Sequence, residues 1–107
     1  MQRIIMKKIE ITEHARQRLI ERMPEVREDQ HAKLVKNARY YGKTACIIAK
    51  ESPEFAEALF KRFRADNSTQ IRVYQNCVFI FFGTNHHARK LKTVVNIPKH
   101  ILALQGT

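Results

Sequence analysis

Residues 70–83, QIRVYQNCVFIFFG, decide the fold. Ile71 and Val73 alternate with Arg72 and Tyr74, the period of a strand with one apolar face. Cys77 to Phe82 then run apolar without a break. Such a run is covered on both faces or lies at an interface, because alternation would otherwise leave Phe79 and Phe81, or Val78, Ile80 and Phe82, in water. Gln75-Asn76 is the tight connection between the two strands. After a loop at residues 84–90, TNHHARK, residues 91–98 read LKTVVNIP and place Leu91, Thr93, Val95 and Ile97 on one face of a third strand. Together the three strands predict an antiparallel meander.

Upstream of this sheet the apolar period is helical. Thr12 offers a capping hydroxyl and Glu13 an acid for the first turn, so a helix begins at Glu13 and runs to about Met23, where Pro24 follows. Its apolar stripe is Ala15, Leu19 and Met23, widened by Ile20. A second helix runs from about Arg27 to Tyr41, with Ala32, Leu34, Val35 and Ala38 inward and Gly42 as its stop. Residues 44–50, TACIIAK, suit strand and helix equally. Ser52 as cap and Pro53 in the first turn start a further helix, with Phe55, Ala56, Leu59, Phe60 and Phe63 as its buried face and an end near Asp66-Asn67-Ser68. Residues 7–11, KKIEI, read as a short strand or an extended arm. Phe55, Phe60, Phe63, Phe79, Phe81 and Phe82 are core residues rather than a stacking platform. The expected class is α+β: N-terminal helices packed on one face of a C-terminal antiparallel β-meander, forming a single domain over residues 1–107.

Composition narrows the partners. The chain has 107 residues, 44% hydrophobic and 28% charged, as expected of a folded soluble protein. It has neither the ~20-residue apolar run of a membrane span nor the apolar core of a secretory signal, so cytoplasm is the expected location. Twenty Lys and Arg against ten Asp and Glu give a net charge of +10 and point to a polyanion. Nucleic acid, with RNA favoured, fits better than a membrane surface, because no Trp is available for an interfacial helix. Cys46 and Cys77 are far apart and lack metal spacing, so both are expected to be buried, reduced thiols. His86 and His87 have no third ligand at metal spacing, and neither metal nor cofactor is expected.

His14, Arg18 and Arg22 stand four residues apart on one stripe of the first helix, about 100° from its apolar stripe. A histidine titrating near neutrality can move a proton, and two guanidiniums can hold a phosphate. The same arginines can instead form surface ion pairs with Glu10, Glu21 or Glu25. Tyr74 faces away from Ile71 and Val73, where its phenol could donate a proton or stack a base, and Thr93 could add a hydroxyl. Further phosphate contacts are expected from Arg16, Arg72, Arg89, Lys90 and Lys92.

The pattern His14-Ala15-x-x-Arg18-x-x-x-Arg22 opening the first helix, with Leu91-x-Thr93-Val94 in the last strand, resembles small domains of the barnase, colicin and RelE group of metal-independent ribonucleases. That resemblance covers about half the chain and leaves the middle helices unmatched. It implies helices packed on one face of an antiparallel sheet, RNA as substrate, and a toxin or mobile-element setting with a possible acidic antitoxin or inhibitor as partner. Two functions follow. One is a metal-independent endoribonuclease using attack by the 2′-hydroxyl. The other is a non-catalytic nucleic-acid-binding or protein-interaction module of a phage or other mobile element. The oligomeric state is open.

Overall fold

A computed structural model describes residues 9–63, 69–83 and 90–105. The element order is β1 (Glu10–Ile11), α1 (Glu13–Arg22), a 3₁₀ turn (Glu28–Gln30), α2 (His31–Tyr41), α3 (Ala45–Glu51), α4 (Pro53–Arg62), β2 (Thr69–Tyr74), β3 (Cys77–Phe82), β4 (Lys90–Asn96) and α5 (Lys99–Leu102). The α+β class and the β2-β3-β4 meander are as the sequence predicts, and β1 joins as a parallel edge, giving a mixed sheet of order β1-β4-β3-β2. No helix among the described residues is long and apolar enough to cross a membrane.

The helices do not share one face. Ala15, Leu19 and Met23 of the α1 segment and Leu34, Val35 and Ala38 of α2 pack with Cys77, Phe79, Phe81, Leu91 and Val94. Ile48 of α3, Phe55, Ala56 and Leu59 of α4, and Ile101 of α5 pack with Ile71, Val73, Val78 and Ile97 on the other face. The reason is in β3: both of its side-chain rows are apolar, so each demands a helical layer.

Local signals account for most element starts. The Thr12 hydroxyl accepts from the Ala15 amide at 3.1 Å and donates to the Lys92 carbonyl at 3.3 Å, capping α1 and tying it to β4. Thr44 caps α3 in the same way, which resolves residues 44–50 as helical. Ser52 occupies the cap position of α4, but its buried hydroxyl donates instead to the Leu104 carbonyl at 3.0 Å. The 3₁₀ turn delays α2 to His31, whose inward stripe becomes His31, Leu34, Val35, Ala38 and Arg39, leaving Ala32 exposed. Only Ile48 of α3 is buried, so Cys46 is exposed and Cys77 alone is the buried thiol. Phe60 and Phe63 are half-buried and Phe82 is exposed, so these three only border the core. Helix α4 ends at Arg62; Asp66-Asn67-Ser68, His86, His87 and Arg89 lie outside the described residues.

A bulge in β4 changes which side chains share a face. Ile80 pairs with Thr93 but Phe81 pairs with Leu91, so Lys92 is the extra residue. The expected common face of Leu91, Thr93, Val95 and Ile97 is therefore broken: Leu91 joins the α1 layer, while Thr93 stays opposite Ile80 on the far face.

Gly42 ends α2 with an extended backbone (φ −65°, ψ 152°) where the chain passes under the helix end. An added Cβ would press into the Ala38 carbonyl oxygen and stand 3.1 Å from the Arg72 Cβ. Gly42→Ala should therefore lower stability by about 1–3 kcal/mol through overpacking, read as a drop in Tm by thermal unfolding, although alanine ordinarily suits this backbone. An unchanged Tm would show that α2 and β2 are less tightly apposed than described.

Candidate nucleic-acid interface

Helix α1 follows β4, starting beside Leu91 and Lys92 and reaching the β2–β3 turn with its last residue. The predicted stripe is thus strung along the helix instead of converging on one point. His14 is exposed in the first turn. Arg18 pairs with Glu21 at 2.7 Å, the ion-pair alternative open in the sequence. Arg22, one turn on, is exposed and has no carboxylate partner within ion-pair distance among the described residues.

The structure separates the two strand candidates. Tyr74 lies on the α1–α2 side, half-buried, its ring edge-on to Phe79 with centroids 6.3 Å apart, so most of its surface is committed to packing. Thr93 projects from the opposite face because of the bulge. Arg16 forms an exposed, long ion pair with Glu28 at 3.8 Å. Lys90 and Lys92 are exposed at the start of β4, with the Lys92 ammonium 5.6 Å from the Phe82 ring centre.

Arg72 is drawn into the scaffold. Its guanidinium donates to the Ile71 carbonyl and the Gln70 side-chain oxygen, each at 3.0 Å, beneath the end of α2. Burial lowers its pKa and the neighbouring Arg39 lowers it further. Arg39 is itself buried and shifted down by burial, with Tyr40 opposing the shift and the guanidinium 5.7 Å from that ring. Both arginines stand by the carbonyl end of α2, whose partial negative charge favours cations. Nothing in the apolar periodicity of α2 signals that Arg39 belongs to its inward stripe. His31, on the same stripe, is buried with its Nε2 unpartnered among the described residues, a desolvation cost of about 1–3 kcal/mol that the packing of α2 must offset.

What gathers around Arg22 is an open cleft of ≈ 410 Å³, with Glu25, Gln75, Asn76, Cys77, Asn96 and Lys99 in its lining. Gln75 and Asn76 turn the hairpin with φ of 49° and 62°, placing two amide side chains at the rim. Glutamine is an uncommon residue for this left-handed backbone, and strain of that kind is concentrated at functional sites. On the floor the Cys77 thiol donates to the Asn96 side-chain oxygen at 3.2 Å, so the Asn96 NH₂ remains a donor without a partner among the described residues. Lys99 begins α5 across from Arg22, also without a carboxylate partner among the described residues. The cleft thus offers two cations and three amides, with one carboxylate, Glu25, at its edge. Only Arg22 of these was legible as a site residue; polar residues in turns and just after strands carry no periodic signal.

Among the described residues no group of three or more metal-ligating side chains occurs. Compared with protein families, curated proteins and solved structures, the chain matches none.

The Cys77 thiol reports the electrostatics of the cleft floor. Burial raises its pKa above the ordinary 9.0, Glu25 raises it further, and Arg22 opposes both. The folded protein therefore holds this proton more tightly than the unfolded chain does. The stability this contributes is whole below 9.0 and declines as pH rises from 9.0 through the higher folded-state value. Cys77→Ser, which keeps a hydroxyl donor for Asn96, should lose less stability than the parent between about pH 8 and 10, measured by denaturant unfolding. Equal losses would place the thiol in an environment no different from water.

Proposed function

We propose that this chain is a nucleic-acid-binding module, directed to RNA, that holds phosphates at the cleft of Arg22 and Lys99 without cleaving them. The observation that carries this reading is the cleft: two cations without ion-pair partners among the described residues line it together with amides able to donate to and accept from base edges. A net charge of +10 supplies the long-range attraction to a polyanion. RNA is favoured over duplex DNA because an open cleft with three amides in its lining suits unstacked bases. The role is a cytoplasmic one, and an acidic inhibitor protein would meet the same cations.

The arrangement supports binding over catalysis. Cleavage by 2′-hydroxyl attack needs a base, an acid and cations on one phosphate. His14 and Arg22 are eight residues apart on α1, about 12 Å at 1.5 Å per residue. Arg18 between them is engaged with Glu21, and Thr93 faces the other way.

Affinity for a single-stranded RNA should fall steeply with salt in a log–log plot. Arg22→Ala and Lys99→Ala should each weaken binding and flatten the slope by about one. His14→Ala should leave affinity unchanged, and the RNA should remain intact. Salt-independent binding, or none in dilute buffer, would remove nucleic acid as the partner. Fragments ending in cyclic phosphate, abolished by His14→Ala, would make the chain a ribonuclease instead.

A further inference from the structure

We infer that the binding surface is a track running over α5 into a second groove, and that its occupant is single-stranded RNA. The inference rests on the reading of the first cleft as a phosphate site. Helix α5 is the ridge between two concave surfaces. Lys99 and Leu102, three residues apart on one stripe, line the Arg22 cleft. His100 and Ile101, turned about 100° per residue around the helix, together with Leu104 just beyond it, line a groove of ≈ 300 Å³ against α4.

Ala58, Ile101 and Leu104 give this groove an apolar floor, while Lys61, Arg62 and His100 supply polar heads. Lys61 and Arg62 are exposed in the last turn of α4, and neither has a carboxylate within ion-pair distance among the described residues. Arg62 is held over the Phe63 ring at 5.7 Å, which restrains its guanidinium near the groove. An apolar floor with a cationic rim is complementary to a strand whose bases lie inward and whose phosphates face out. In a duplex the bases are stacked away from such a floor. A duplex is also stiff, with a persistence length of about 50 nm for DNA, and cannot bend over a helix of four residues. A single strand can cross that ridge from Lys99 to His100 and reach Lys61 and Arg62.

The test is fluorescence anisotropy with single-stranded RNA of about 4 and about 12 nucleotides, a hairpin duplex of the same charge, and polyglutamate as competitor. The proteins are the parent, Arg22→Ala with Lys99→Ala, and Lys61→Ala with Arg62→Ala, each checked for an unchanged Tm. The cleft variant should bind both single strands more weakly. The groove variant should bind the short strand like the parent, yet lose about tenfold on the long one and about two units of salt slope. Equal binding of the long strand by the parent and groove variant, with the cleft variant impaired, would overturn the track and leave the cleft site standing. A hairpin bound as tightly as the single strand would overturn the single-strand assignment. Failure of the parent to bind RNA, or displacement of RNA by an equal charge of polyglutamate, would overturn the track together with the nucleic-acid reading beneath it.

Discussion

Both side-chain faces of strand β3 are apolar, and all but its last residue, Phe82, are buried or half-buried. Phe79 and Phe81 on one side and Val78 on the other are fully withdrawn from solvent, and burial of each is worth about 1.5–3 kcal/mol relative to exposure. The rest of the molecule is arranged to meet this demand. Strands β2 and β4 satisfy its backbone on both edges, α1 and α2 close one face, and α3, α4 and α5 close the other. The helical layers cover most of both sheet faces, leaving Phe82 exposed and Thr93 and Val95 half-buried on the far side of β3 and β4. The cleft lies at the end of the sheet marked by the β2–β3 turn.

How much of this was legible in the sequence depends on the kind of signal. Caps and periods were strong: Thr12 and Pro53 mark helix starts, and the β2–β3 hairpin lies where alternation and the Gln75-Asn76 turn predict, whereas the Thr44 cap of α3 went unread. The uninterrupted apolar run of β3 implied either two covered faces or an interface, and helices on one face alone would leave half of that run uncovered. The bulge at Lys92 was invisible, because the extra residue is defined by pairing with β3 and not by its own type. Its effect on the site is large, since it divides Leu91 from Thr93 and turns the threonine away from α1. The last helix was hidden by its length: four residues beginning after Pro98 give no period to read.

Charge was legible as a total and not as a distribution. The composition gives only a net charge of +10, and individual cations met different fates. Arg16, Arg18, Arg27 and Lys43 are tied to Glu28, Glu21, Asp29 and Glu51, surface pairs worth about 0–1 kcal/mol each that nonetheless occupy those heads. Arg39 and Arg72 are built into the scaffold beneath α2. Arg22 and Lys99, and beyond the ridge Lys61 and Arg62, remain available, and they border two adjoining concave surfaces. Lys90 and Lys92 at the start of β4 are likewise without a carboxylate partner among the described residues.

The claim most in need of test is the location of the bound strand, and the cleft contains its own reporters. The side-chain amides of Gln75, Asn76 and Asn96 give resolved signals in ¹⁵N–¹H correlation spectra, and backbone amides report on α1, α4 and α5. Titration with single-stranded RNA at low salt is expected to shift those three side chains first, together with backbone signals near Arg22, Lys99 and His100. Shifts centred instead on His14 and the start of β4, with the cleft amides unmoved, would contradict the account.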